Sequence, residues 1–243
     1  MRQRDFITPI GARCGIKSII PRLPSVLAVL LSTTINAGAA SVEVKGGNVY
    51  VTQDGHQSQI TKSGKDANPA LSPDGKRVMF TRLGNPESTG SQGDCKSGAM
   101  ADELRWIRVD GSGEELLYRG HDGKDPKDTI CDFSHKQFTS DGRYIFFLSP
   151  AWAVSAALHR FDTRTKTLAF VMDANDVIVL NDCKKAENRD SLVVQRHRYF
   201  VVAGSYDWYW LFDRAGKKER GPIGEYESEK AVRDAIDGVG LCD

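Results

Sequence analysis

Two stretches of this 243-residue chain repeat one design. Asn68 to Arg82 reads NPALSPDGKRVMFTR, and His135 to Ser149 reads HKQFTSDGRYIFFLS. Each places a short strand before an Asp-Gly corner. A basic residue and an apolar strand of β-branched and aromatic residues follow. Glycine takes positive φ without a Cβ clash and Asp tolerates the left-handed region, so Asp74-Gly75 and Asp141-Gly142 read as hairpin turns. A worn third copy runs from Ala186 to Phe200, where Arg189-Asp190-Ser191 precedes LVVQRHRYF. Asp74 is therefore read as architecture, in preference to a metal ligand or a base.

A second hairpin type alternates with the first. Its copies are VYVTQDGHQSQIT (49–61), LRWIRVDGSGEELLY (104–118), LHRFDTRTKTLAF (158–170) and WYWLFDRAGKKERGPI (208–223). Their turn acids are Asp54, Asp110, Asp162 and Asp213. The repeat length of about 50 residues falls among those of propellers and solenoids. The strand segments RVMFTR, YIFFLS and LAFVM are short and bounded by turn residues. Only Ser228 to Gly238, SEKAVRDAIDG, reads as a helix, with Ser228 or Glu227 opening it and Gly238 stopping it.

The segment PALSPDGKRVMFTR resembles the TolB-type, WD-like propeller repeat, whose hallmark is Ser-Pro-Asp-Gly-Lys/Arg before an apolar strand. Two good copies and one poor one carry the likeness, across residues 45–224. In the second copy Thr139-Ser140 stands in place of Ser-Pro, from which a looser turn is expected. The stretches DELRWIRVDGSGEELL, FFLSPAWAVSAALH and QRHRYFVVAGSYDWYWLF are also similar to exported bacterial TolB-like proteins of unassigned function. The resemblance implies an all-β fold, a β-propeller of about four blades with a short C-terminal helix. The sequence supplies three full blades and a two-strand half blade at 42–61. The half blade and the tail completing one blade is the favoured closure, because an open end leaves sheet edges exposed. Pairing of two chains and an open partial propeller are the other two arrangements.

The first 40 residues read as a signal peptide. Arg2, Arg4, Arg13, Lys17 and Arg22 precede the apolar run LPSVLAVLL, and Ala37-Gly38-Ala39 supplies small residues for cleavage. That run is shorter than the roughly 20 residues of a membrane span. The expected division is a signal peptide at 1–40, a propeller at 41–224 and a helical tail at 225–243, in a periplasmic or secreted protein. The whole chain carries +1, and without the leader 28 basic and 31 acidic side chains give −3. Neither value offers the basic excess of a nucleic-acid surface. Four cysteines follow the leader: Cys95, Cys131, Cys183 and Cys242. In an oxidising compartment they suggest two disulfides with three possible pairings. Cys95–Cys131 with Cys183–Cys242 keeps each bridge local. No C-x-x-C spacing points to zinc.

Sites of chemistry are few. QRHRYFVVAGSYDWYW, Gln195 to Trp210, gathers aromatic rings and charged groups that suit ligand stacking or a partner hot spot. From it His197, Arg198, Tyr206, Asp207 and Trp208 are candidate binding residues, joined by Trp152 in SPAWAVSAALH. The acidic loop HDGKDPKDTICD lacks the spacing of an EF-hand. His56, His121, His135, His159 and His197 include no pair at i, i+4. G-x-S-x-G and a P-loop are absent, so no nucleophile elbow or phosphate cradle is signalled. The expectation is an exported, non-catalytic module without a cofactor or metal that binds an envelope protein or a small ligand. A small propeller lyase or hydrolase using His197, Arg198 and Asp207 is the runner-up.

Overall fold

A computed structural model of the chain describes residues 40–84, 101–200 and 203–243. The expected leader, all but its last residue, and Cys95 lie outside the described residues.

The repeated corner forms twice with the same hydrogen bonds. Ser72 Oγ donates to Asp74 Oδ1 at 2.6 Å, and the same oxygen accepts from the Lys76 amide. Ser72 Oγ in turn accepts from the Arg77 amide at 2.9 Å, and Gly75, at φ +67°, donates its amide to Ser72 O. In the second copy Thr139, Asp141, Gly142, Arg143 and Tyr144 repeat every one of these bonds. The Thr139 hydroxyl does the work of Ser72, so the loss of Ser-Pro does not loosen the turn. The Ser72 hydroxyl and Lys76 amide hold the Asp74 carboxyl below its usual range. The outer turns use their acids similarly, with Asp110 accepting from Ser112 N and Asp213 from Lys217 N and Lys218 N.

These corners join strands into four antiparallel sheets, each a meander in chain order. The first holds β1 (Ser41–Lys45), β2 (Asn48–Gln53) and β3 (His56–Gln59). The second holds β4 (Asp66–Leu71), β5 (Arg77–Arg82), β6 (Glu103–Arg108) and β7 (Glu115–Arg119). The third holds β8 (Ser134–Phe138), β9 (Tyr144–Pro150), β10 (Ala156–Asp162) and β11 (Thr167–Ala174). The fourth holds β12 (Asp176–Val179), β13 (Leu192–Tyr199), β14 (Ser205–Phe212) and β15 (Glu219–Gly224), and helix α1 (Glu229–Gly238) follows. The expected half blade thus has three strands. SVEVK pairs with NVYVTQ through a Gly46-Gly47 turn in which both φ are positive. A Cβ on Gly47 would stand 2.1 Å from Gly64 O, so only glycine fits there. In the worn third copy Leu180 N donates to Ser191 O, as Ser72 N does to Arg77 O, but the corner between them has expanded to the loop 181–190.

Burial explains the apolar runs. Along β9, Ile145 and Phe147 pack toward the second sheet with Met79 and Leu104, whereas Phe146 and Leu148 pack toward the fourth with Leu192 and Val194. β5 splits likewise, Val78 and Phe80 meeting Val49 and Val51 of the first sheet while Met79 faces the third. A strand covered on both faces reads as a continuous apolar run, since successive side chains point to opposite sides.

The ends of the series are finished differently, and they do not meet. The outer face of the first sheet is polar, with Lys45 Nζ donating to Gln57 Oε1 and Tyr50 to Gln59 Oε1. At the other end α1 covers the fourth sheet, placing Val232 and Ile236 on Ile178, Val193 and Leu211. Ser228 caps this helix by accepting from the Ala231 amide. The tail therefore packs on the fourth sheet, and the closure expected from it and the N-terminal hairpin does not form. Cys183 and Cys242 are disulfide-bonded as expected, their Cα atoms 4.5 Å apart. Beside the bridge, Asn188 Nδ2 donates to Leu241 O at 2.6 Å and Lys184 N to Cys242 O at 3.0 Å. Cys131 is also disulfide-bonded, and its expected partner, Cys95, lies outside the described residues.

Two adjacent residues of β8 tie the third sheet to both neighbours. They point to opposite sides as neighbours in a strand do, and a bulge between Ser134 and Gln137, with His135 at φ +50°, sets the register there. Lys136 Nζ donates to Thr81 Oγ1 of the second sheet at 2.8 Å and to Phe133 O at 2.7 Å. Burial pushes this ammonium down to about 8, against the pull of Asp132 and Asp102. Gln137 donates to Val177 O and accepts from Val179 N, both at 2.8 Å, so its amide acts as an extra peptide unit beside β12.

Val177 and Val179 are fully buried, so Gln137→Ala strands one carbonyl and one amide. Urea denaturation should show a loss of about 2–3 kcal/mol, and an unchanged midpoint would refute the stitch. The Cys183–Cys242 bridge spans 59 residues, and Cys183→Ser with Cys242→Ser should cost about 2–4 kcal/mol. Amide exchange should then rise first in α1.

Candidate functional site

The hairpin β13–β14 outruns its neighbours. β12 pairs with β13 only from Leu192 to Gln195, and β15 pairs with β14 only from Phe212 to Tyr209. Beyond those points Arg196–Tyr199 and Ser205–Trp208 pair only with each other. Four residues at about 3.3 Å each make a two-stranded ribbon projecting roughly 13 Å. Five of the six candidate residues lie on it: His197, Arg198, Tyr206, Asp207 and Trp208.

Strand alternation divides them between two faces. One face carries Arg196, Arg198, Tyr206, Trp208 and Trp210. The rings of Tyr206 and Trp208 lie 5.3 Å apart, and those of Trp208 and Trp210 6.4 Å apart. The Arg198 guanidinium sits 3.7 Å from the Trp210 ring centre and pairs with Glu219. Arg196 pairs with Asp173 of β11, which ties the ribbon base to the third sheet. Phe200 packs on Tyr206 at 4.7 Å. The other face carries His197, Tyr199, Ser205 and Asp207. His197 Nδ1 lies 2.9 Å from Asp207 Oδ1, and Tyr199 meets the imidazole edge-on at 4.9 Å. The structure thus brings His197 and Asp207 together and sets Arg198 on the opposite face.

Trp152 stands apart, in the loop between β9 and β10. It meets Phe170 edge-on at 6.1 Å and forms part of a 410 Å³ pocket with Lys124, Asp125, Pro126, Thr129 and Pro150. The acidic loop contributes a wall of this pocket. No group of three or more His, Cys, Asp or Glu that could hold a metal is found among the described residues. The Trp152 loop reaches the ribbon through Asn175, whose Nδ2 donates to Val154 O at 3.1 Å and lies 3.5 Å from Asp207 Oδ1. Trp152, Val154, Phe170, Tyr199 and Phe200 all lie in this region. They are five of the nine large exposed apolar side chains among the described residues. Tyr199 is 71% exposed and Phe200 56%. Both escaped the candidate set, as did Arg196 and Trp210. The alternation of the strand pattern places Trp210 on the face of Trp208, as expected, and could have added Arg196 to it.

Two further histidines differ sharply. His135 lines a 780 Å³ cavity with Pro73, Gln137, Asn181 and Arg233. Its Nε2 lies 3.7 Å from Asp176 Oδ1, while Asp176 Oδ2 accepts from the Tyr209 hydroxyl. His159 is 1% exposed, and neither of its ring nitrogens has a hydrogen-bond partner. It stacks on Phe147 at 5.4 Å and meets Phe170 edge-on. Burial pushes its pKa down to about 4.

No known protein family and no curated protein matches the chain. Among solved structures, TolB from Acinetobacter baumannii aligns over 78% of this chain and 42% of its own, at 10% identity and a TM-score of 0.50. The β-propeller domain of the Trilobed protease from Pyrococcus furiosus, reported to have an open velcro topology, aligns over 75% of this chain and 52% of its own. Its identity is 13% and its TM-score 0.50. The chain has a TolB-like β-propeller fold. The four sheets are its blades, and the propeller is not closed. At these identities the likeness is one of fold. The chain spans about half or less of either neighbour.

The aromatic wall around His159 has a consequence for pH. Its folded pKa of about 4 lies below the ordinary value near 6.5, so the unfolded chain takes up the proton first. Stability is therefore full above pH 6.5 and falls as the pH drops toward 4, by about 3 kcal/mol in all. His159→Phe should flatten that part of the stability–pH curve. An unaltered curve would mean that the imidazole has a polar partner.

Proposed function

We propose that this propeller is an exported, periplasmic, non-catalytic binding module. It contacts another envelope protein or a small ligand through the aromatic end of the third and fourth blades. In this reading residues 1–40 are a cleaved signal peptide, 41–224 the propeller and 225–243 a helical tail. The observation that carries it is the gathering of exposed apolar side chains at one end. Exposed apolar side chains gathered in one region mark interaction sites. Trp152, Tyr206 and Trp208 supply aromatic contact area, while Arg198 pairs with Glu219 and His197 Nδ1 lies 2.9 Å from Asp207 Oδ1. The Cys183–Cys242 disulfide suits an oxidising compartment. No helix among the described residues is long and apolar enough to cross a membrane. TolB and the propeller of a protease share the fold, and fold alone does not choose between binding and catalysis.

The runner-up, a lyase or hydrolase, draws on the His197–Asp207 pair, in which a carboxylate orients an imidazole as in acid–base sites. Arg198 points to the other face, so it cannot stabilise charge beside that pair.

The test compares the wild type with a Trp152→Ser/Tyr206→Ser variant of equal melting temperature. Each is immobilised and exposed to solubilised envelope fractions and a small-ligand panel. The wild type should retain a component that the variant retains at least tenfold less. Equal retention would place binding elsewhere. No retention, with no thermal shift from any ligand, would refute the module reading.

A further inference from the structure

We propose that the inner edge of β1 accepts one extended strand from another polypeptide, which becomes the innermost strand of the first blade. This is a second surface, distinct from the aromatic one, and it rests on the reading that residues 1–40 are removed.

Repeat position identifies what the first blade lacks. In each full blade an inner corner or loop joins the first strand to the second, and an outer turn carrying Asp110, Asp162 or Asp213 joins the third to the fourth. Asp54-Gly55 is such an outer turn, so β2 and β3 are a third and a fourth strand, and β1 is a second. Packing agrees. Val42 of β1, Val49 and Val51 of β2 and Ile60 after β3 meet the second blade. Met79 of β5, Leu104 of β6 and Leu117 of β7 meet the third in the same way. The counterparts of β1 are β5, β9 and β13, each paired on its inner side with β4, β8 or β12. Among the described residues β1 pairs with β2 alone.

The edge is chemically open. Lys45 and Asn48 close a two-residue turn, so their peptide groups face each other. Antiparallel alternation then points the amides and carbonyls of Val42 and Val44 away from β2. These groups have no hydrogen-bond partner among the described residues. No ladder joins β4 to β1, and Leu71 of β4 packs on the apolar face of the sheet, with Val49 and Val51, not along its edge. That face is sealed at β2 and open at β1: Val49 is fully buried, whereas Val44, opposite it, is 37% exposed.

A row of outward amides and carbonyls selects an extended peptide, since another strand matches their spacing. The full blades show which side chains it needs. Leu71 stands opposite Val78, Phe138 opposite Ile145 and Val179 opposite Leu192. The donor therefore alternates, with apolar residues beside Val42 and Val44 and polar ones beside Ser41, Glu43 and Lys45. Lys45 Nζ lies 3.0 Å from Glu43 Oε1, so the donor needs no net charge. No strand lies inside β4, β8 or β12, so the position is one strand wide. It takes a terminus or an unfolded segment of a protein, not the edge of a second folded sheet.

The experiment places Glu43→p-benzoylphenylalanine in the full chain, irradiates cells that export it and maps the cross-linked residues by mass spectrometry. Support is a cross-link to a segment of another polypeptide that Val44→Pro lowers at least tenfold. Proline there removes an outward amide and spares the bonds to β2. The Val44→Pro chain must melt with the wild type; otherwise Val42→Pro takes its place. The mapped segment, added as a synthetic peptide to the purified exported protein, should slow amide exchange at Val42 and Val44 at least tenfold. Unchanged exchange would overturn strand addition. A cross-link to a second copy of this chain would replace the partner with self-association. A cross-link to residues 1–39 of the same chain would overturn both the proposal and the cleaved-leader reading. No cross-link, with retention through Trp152 and Tyr206 intact, would overturn the edge and leave the binding reading standing.

Discussion

The bulge in β8 is the constraint on which the middle of this molecule depends. One extra residue in the strand sets the register from which ordinary alternation sends Lys136 toward the second blade and Gln137 toward the fourth. Both side chains reach polar groups in regions from which water is excluded. An ammonium there is tolerable because Thr81 Oγ1 and Phe133 O accept its protons, with Asp132 and Asp102 nearby. An amide is tolerable because it completes the hydrogen bonding of β12. Apolar packing between blades is non-directional. These two residues supply direction, since hydrogen bonds of fixed length allow little sliding of one blade against the next.

Much of the architecture could be read from local chemistry. The Ser/Thr-x-Asp-Gly corners, the outer-turn acids and the Ser228 cap are each decided within a few residues, and they formed as turns and cap, the second corner without the expected loosening. The first strand was harder. SVEVK is short, and its burial is settled by the second blade, so its pairing with NVYVTQ left a weak trace in sequence. Closure was misjudged because an open edge looks costly from sequence alone. The structure meets that cost with a polar outer face on Glu43, Lys45 and Gln57 at one end and with α1 at the other. The stitches at Lys136 and Gln137 were invisible, because a bulge is fixed by tertiary register.

The candidate site was half legible. Aromatic density singled out the segment that forms the ribbon, yet adjacent residues of a strand face opposite ways, which separates His197 from Arg198. Applying that alternation would have split the proposed trio at once. What sequence could not supply is the overhang of β13 and β14 past their neighbours. That overhang depends on where β12 starts and β15 stops, at Asp176 opposite Gln195 and at Gly224 opposite Tyr209.

Because the propeller is not closed, no continuous ring of sheets distributes load around it. Each blade leans on one or two neighbours, as in a linear array. The two termini of that array are unequally fastened: the last carries a covalent clasp, while the first relies on Val49, Val51 and Ile60 against the second blade and on the Thr61 hydroxyl under Val49 N. Fraying under heat or force thus has a polarity, beginning at the blade farthest from the aromatic ribbon and leaving the ribbon's own support until last.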